Sequence, residues 1–402
     1  MTGLHLSAAL NDAGWHPAAW RDPGARPAGL FTARYWTDLA AEAERGLLDF
    51  VTIDDSLGLQ SSGSTASGST ASGDRTDQVR GRMDAVLVAA RIAPATERIG
   101  LVPTTITTHT EPFHVAIGIA SLDYASQGRA GWQPRVGDRL SDAAHFGRRA
   151  FPDLDRPWFA TAEGAALGAE LFGEAGDFVE VVRRLWDSWE DRAEIRDVAT
   201  GRFLDRGKLH CIDFEGPHFS VRGPSITPRP PQGQPLVTAL AHDVLSYEFA
   251  ARGADVVFVT PRSRADAVTA VARVREAERA VRRPGEPLRI LADLVVFLDE
   301  VPGAAASRKA RLDDLDGAPL NSDAEVFTGT PGELADLLLD WRNAGLDGFR
   351  LRPGVLPSDL AGITRGLVPV LRERGVFRTG YQAATLRGHL GLARPANRYA
   401  AT

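Results

Sequence analysis

Cysteine is nearly absent from this chain. Among 402 residues there is one, Cys211, so no disulfide can form within it. Basic charge is not in excess: 46 Lys and Arg stand against 52 Asp and Glu, a formal net charge of −6. No basic excess therefore advertises a nucleic-acid partner. No apolar run approaches the roughly 20 residues that span a bilayer. Residues 1–10 lack the basic start and long apolar stretch of a secretory signal. A cytoplasmic protein that engages neither membrane nor nucleic acid is expected.

Several catalytic signatures are missing as well. No G-x-G-x-x-G follows a strand pattern, and there is no G-x-S-x-G turn. His109 and His114 are five apart, His210 and His218 eight apart, and His5 stands alone between Leu4 and Leu6. None of these is a known metal-ligand spacing, which disfavours a metal-dependent hydrolase. Cys211 has no neighbour that would activate its thiol.

What is present is an alternation. Hydrophobic residues are 44% and charged residues 24%, ordinary for a soluble globular protein. Strand-length apolar runs occupy 3–10, 48–53, 99–104, 129–133, 236–240, 255–259, 290–297 and 348–351. Between and after them, helical periodicity covers 33–45, 83–93, 115–125, 163–189, 246–252, 264–281, 332–343 and 360–374. Eight strands alternating with helices make a parallel sheet, because each parallel pair needs a crossover. Eight repeats close most readily into a (β/α)8 TIM barrel, which leaves no exposed sheet edge. One domain over 1–402 is expected.

Three stretches interrupt the alternation. Residues 61–73 are almost purely Ser, Gly, Thr and Ala, a low-complexity loop after the second strand. Residues 199–231 are rich in Gly, Pro and aromatics and predict a small hairpin. Residues 302–327 form a long polar insertion. The last two are read either as lids over a site or as tolerated surface insertions.

Five phrases, in order, resemble one family. They are AEAERGLLDFVTIDDS (41–56), ATERIGLVPTTITTHTEPFHVAIGIASLDYASQGRAGW (95–132), DFVEVVRRLWDSWED (177–191), GPHFSVRGPSITPRPPQGQP (216–235) and FAARGADVVF (249–258). They resemble the luciferase-like flavin-dependent monooxygenases, most closely the nitrilotriacetate, dibenzothiophene-sulfone and pristinamycin branch. The resemblance implies a TIM barrel with insertions that is a two-component monooxygenase. It would take reduced FMN from a separate NADH-dependent flavin reductase. With O2 it would oxygenate a small organic substrate through a flavin hydroperoxide. Many such proteins are homodimers, and helices such as 83–93 and 115–125 build the interface.

On the matching positions, Asp55 corresponds to an acidic residue beside the flavin ring. Its alternative reading is a turn or capping residue. Thr104 and Thr105 stand at and just after the end of the third strand, where hydroxyls suit ring carbonyls and nitrogens, though β-branched Thr is also simply common in strands. Gln133 stands where the family has Asn and keeps its amide. His109 could give or take a proton on the substrate side, or be a satisfied core histidine. Trp132 reads as packing.

The phosphate side departs from the pattern. GAELF (168–172) replaces a segment with tyrosine and arginine, and ALAHDVLS (239–246) replaces a small-residue turn. Asp243 falls where a small Ser would meet the phosphate, and a carboxylate there repels an anion. Three readings stay open: a monooxygenase that holds reduced flavin transiently, an F420-dependent oxidoreductase, or a non-catalytic barrel acting as a binding or partner protein.

Overall fold

The computed structural model describes residues 3–59, 75–137, 140–149, 161–281 and 285–400. The Ser/Gly stretch at 61–73 lies outside the described residues.

The first half runs β1 (His5–Leu10), α1 (Ala33–Arg45), β2 (Phe50–Ile53), α2 (Ala85–Ile92), β3 (Gly100–Ile106), α3 (Pro112–Ala125), β4 (Gly131–Arg135), α4 (Leu140–Phe146) and α5 (Ala162–Asp187). Two short antiparallel pairs follow: β5 (Glu194–Asp197) with β6 (Arg202–Leu204), and β7 (Phe214–Glu215) with β8 (Ser220–Val221). The second half runs β9 (Leu236–Leu240), α6 (Val244–Gly253), β10 (Val256–Val259), α7 (Arg264–Ala280), β11 (Arg289–Leu298), α8 (Ala304–Asp316), β12 (Glu325–Gly329), α9 (Pro331–Arg342) and β13 (Gly348–Pro353). The chain closes with α10 (Ser358–Ala361), α11 (Val368–Glu373) and α12 (Leu386–His389).

Local chemistry accounts for the helix starts. The Thr32 hydroxyl accepts from Tyr35 N to begin α1. Thr330 and Glu333 cap α9 reciprocally, with Pro331 at its first position. Eight strands, in the order β1-β2-β3-β4-β9-β10-β11-β13, pair in parallel and close where β13 meets β1. The predicted barrel is therefore present, each predicted strand overlapping an observed one.

Two insertions differ from expectation. Residues 302–327 are not an irregular loop. They contain α8, bounded by Gly303 and Gly317 at φ +81° and +84°, and most of β12. β11 is long enough for two neighbours on one edge: Val256–Val259 pair with its first half and Glu325–Gly329 with its second. The 199–231 segment holds β6 and the expected small hairpin, β7 with β8, and lines no part of the cavity described below. It joins the end of α5 to the start of β9, so it lies at the strands' N-terminal end, and the lid reading fails there for topological reasons.

That N-terminal end is plugged. Phe50, Val102, Leu236, Val256, Phe258 and Leu291 meet Leu386 and Leu390 inside the barrel. A Cβ on Gly100 would lie 2.4 Å from Leu386 Cδ1, so only glycine lets the leucine seat. Among the described residues no helix is long and apolar enough to cross a membrane. Nor is there a group of three His, Cys, Asp or Glu able to hold a metal.

Candidate active site

The opposite end is open. A cavity of about 380 Å³ sits at the C-terminal ends of the strands, within the range of small-molecule sites. Such barrels carry their catalysis at this face.

Strand alternation decides which predicted residues reach it. On β3, Thr104 faces in: it lines the cavity and is 1% exposed. Its Oγ1 has no hydrogen-bond partner among the described residues. Its neighbour Thr105 faces out, accepting a 2.7 Å bond from Trp132 Nε1, with the indole packed on Phe178 and Trp186 of α5. Gln133 pairs in register with Thr104 and also lines the cavity.

After β2 the parity is again decisive. Asp54 lines the cavity, its two oxygens 3.1 Å from Arg82 Nη1 and Arg135 Nη1. Burial works against its ionisation, but the guanidiniums of Arg135 and Arg82 outweigh it, and its pKa falls below the usual carboxylate range. Asp55 is outside the cavity wall. Its carboxylate accepts from Ser56 N at 2.7 Å and Ala85 N at 3.0 Å, steadying the start of α2. Burial raises its pKa against those two bonds. His109 is buried, stacked on Phe146 at 5.2 Å, and does not line the cavity; burial lowers its pKa. The structure thus brings Thr104 and Gln133 together and sets Asp55, Thr105 and His109 apart from them.

Sequence reasoning missed the charged interior. Arg350 and Arg352 both line the cavity from β13. Arg350 Nε lies 2.7 Å from Asp293 Oδ1, and Arg352 shares the same carboxylate. Arg352 Nη1 also reaches Asp323 Oδ1 at 2.6 Å, in the stretch between α8 and β12. Their guanidiniums cover Phe258 at 3.8 Å and Trp15 at 4.6 Å. The signal was there: two arginines two apart on one strand, and an aspartate inside an apolar run.

His16 also lines the cavity, but as a strut. Its Nδ1 accepts from Ala18 N at 3.0 Å, so Nε2 carries the proton and donates to Asp313 Oδ1 at 3.1 Å. Burial keeps its pKa low in spite of that bond. Phe172 and Phe249, 5.8 Å apart, give the cavity an apolar side.

At the start of α6, Asp243 accepts from Ser246 N at 2.8 Å, and Ser246 Oγ in turn accepts from Asp243 N and His242 N at 3.1 Å. This helix start is capped by the chain's own carboxylate. It does not fit an anionic tail. The Thr104–Gln133 wall, with its unpartnered hydroxyl and its amide, does fit the polar edge of a flavin ring.

A parallel β/α barrel with a cavity of mixed polar and apolar lining at its C-terminal mouth is an enzyme architecture suited to a small-molecule ligand. The luciferase-like monooxygenase family model matches residues 13–327. N-acetyl-S-(2-succino)cysteine monooxygenase of Bacillus subtilis (strain 168) is 30% identical, with 99% of this chain and 98% of that one covered. Nitrilotriacetate monooxygenase component A of Aminobacter aminovorans is also 30% identical, with 98% and 97% covered. Among solved structures, EDTA monooxygenase from Chelativorans sp. BNC1 superposes with a TM-score of 0.82 at 26% identity, covering 98% of this chain and 99% of that one.

The chain belongs to the luciferase-like monooxygenase family. It is a flavin-dependent monooxygenase of the two-component type, using reduced flavin, and this reading prevails over the non-catalytic and F420-dependent ones.

Proposed function

We propose that the cavity seats the isoalloxazine of reduced FMN against Thr104 and Gln133, and that the substrate enters past Asp54 and Phe172. The observation that carries this reading is the Thr104 hydroxyl, buried in the cavity wall with no partner among the described residues. A buried hydroxyl without a bond is costly, and a ring carbonyl or nitrogen would satisfy it. The flavin supplies the oxygen-activating chemistry when bound; the protein orients it and excludes water. The donors for the phosphate are the Arg82 and Arg135 side chains, which line the cavity on either side of Asp54. An NADH-dependent reductase delivers the FMN, and the substrate is a small organic molecule.

We also propose a cytoplasmic homodimer. The outer faces of α2 and α3 support it. Leu87 is 70% exposed, Tyr124 is 43% exposed, and α3 is apolar around most of its circumference.

Anaerobic titration with FMN and reduced FMN tests the assignment. Micromolar affinity for the reduced form is expected; a folded protein that binds neither form overturns it. F420 in the same titration must bind more weakly. Sedimentation of Leu87→Asp against the parent chain tests the dimer, which fails if the parent is already monomeric at micromolar concentration.

A further inference from the structure

Gln133 does not face the cavity freely. Its Oε1 accepts a 2.8 Å hydrogen bond from Arg350 Nη1. A guanidinium only donates, so the amide atom turned toward Arg350 is the oxygen, and Nε2 is left as a donor of fixed direction. Arg350 is itself immobilised. Asp293 grips it through both oxygens, Phe258 lies under its guanidinium, and its side chain is 4% exposed. Asp293 also serves Arg352, so the barrel interior sets two guanidiniums against one fully buried carboxylate. The second carboxylate, Asp323, is further out and one-third exposed. Positive charge therefore stands directly behind the Gln133 amide.

Across the strand pair, Thr104 is the registered neighbour of Gln133. We propose that Arg350 is a positioning residue that locks Gln133 as a hydrogen-bond donor beside the Thr104 hydroxyl, so that this wall holds the pyrimidine edge of the flavin and favours its reduced, anionic form over the oxidised form. Reduced flavin loses a proton near neutral pH and spreads negative charge over that edge. A donor polarised by a guanidinium binds a charged acceptor about twice as strongly as a neutral one. Charge placed beside the ring is one of the levers by which a protein tunes a flavin. The inference rests on the ring site proposed above.

The test measures dissociation constants of oxidised and reduced FMN, anaerobically, for the parent chain, Gln133→Met, Arg350→Met and the double variant. In the parent chain the reduced form binds more tightly. Gln133→Met is expected to lower the oxidised-to-reduced ratio about tenfold, and Arg350→Met by a similar factor. The double variant should lose no more than either alone, because both act through one donor. A tenfold loss reads independently as a fall of about 30 mV in the bound two-electron potential. Gln133→Met leaves the Arg350–Asp293 pair intact, so it decides the matter even if Arg350→Met does not fold. An unchanged ratio in Gln133→Met overturns the positioning role while the ring site stands. A parent chain that binds neither form removes the ring site and the positioning role together.

Discussion

Trp132 Nε1 donates to Thr105 Oγ1 at 2.7 Å on the outer face of the barrel wall. That bond marks the parity of β3, which its pairing with β2 and β4 sets: Thr105 faces out, and Thr104 stands on the inner side of the wall.

Thr105→Val should leave the indole N–H without its acceptor and cost about 1–3 kcal/mol in urea denaturation, with flavin affinity unchanged. Thr104→Val removes an unbonded hydroxyl. Its stability should match or exceed that of the parent, while reduced-flavin affinity falls about tenfold.

Asp54 and Asp55 should separate in the same way. Asp55→Ala deprives Ser56 N and Ala85 N of their acceptor and should lower stability by about 1–2 kcal/mol. Asp54→Asn frees Arg82 and Arg135 from a counter-charge. An anionic ligand at the rim should then bind more tightly, by about 1 kcal/mol or roughly fivefold, for a charge at 4 Å under water-like screening. The gain should shrink when the titration is repeated at high salt.

Arg129 is a structural tie, not a ligand residue. It donates to the carbonyls of Ala93, Thr96, Ile99 and Ser126 and to the Thr96 hydroxyl, joining the turn after α2 to the turn after α3. Lysine cannot span that fork. Arg129→Lys should cost about 3 kcal/mol or more by chemical denaturation.

Asp123 should leave a signature in the pH dependence of stability. Burial pushes its carboxyl up to about 6, against hydrogen bonds from Gln232 and Ala130. The native state therefore holds this proton over a window in which the unfolded chain has released it. The stabilising contribution is full below about pH 4 and is lost as pH rises through about 6, an effect of about 3 kcal/mol. Denaturation midpoints measured from pH 4 to 7 should show this downward component in the parent chain. Asp123→Asn should flatten it.

The alternation of short apolar runs with helical segments made the barrel legible, because strand and helix periods differ and a parallel pair must carry a crossover. β9 appears at its predicted bounds of 236–240 and α1 at 33–45. The residues between α8 and β12 were less legible. Their strand pairs only with the far half of β11, a partner 31 residues earlier, and no local pattern announces that.

Composition and periodicity were enough for the class of fold and for the end of the barrel where ligands meet it, since both follow from local conformational preference and handed connection. The choice between Asp54 and Asp55, or Thr104 and Thr105, was not local: a one-residue change of phase turns every side chain to the other face. The cluster of Arg350, Arg352 and Asp293 is more dependent still. These residues lie 57 and 59 positions apart in the chain and meet only because β11 and β13 are neighbours. A buried ion pair is defined by the groups that surround it in space, and strand closure alone assembles them.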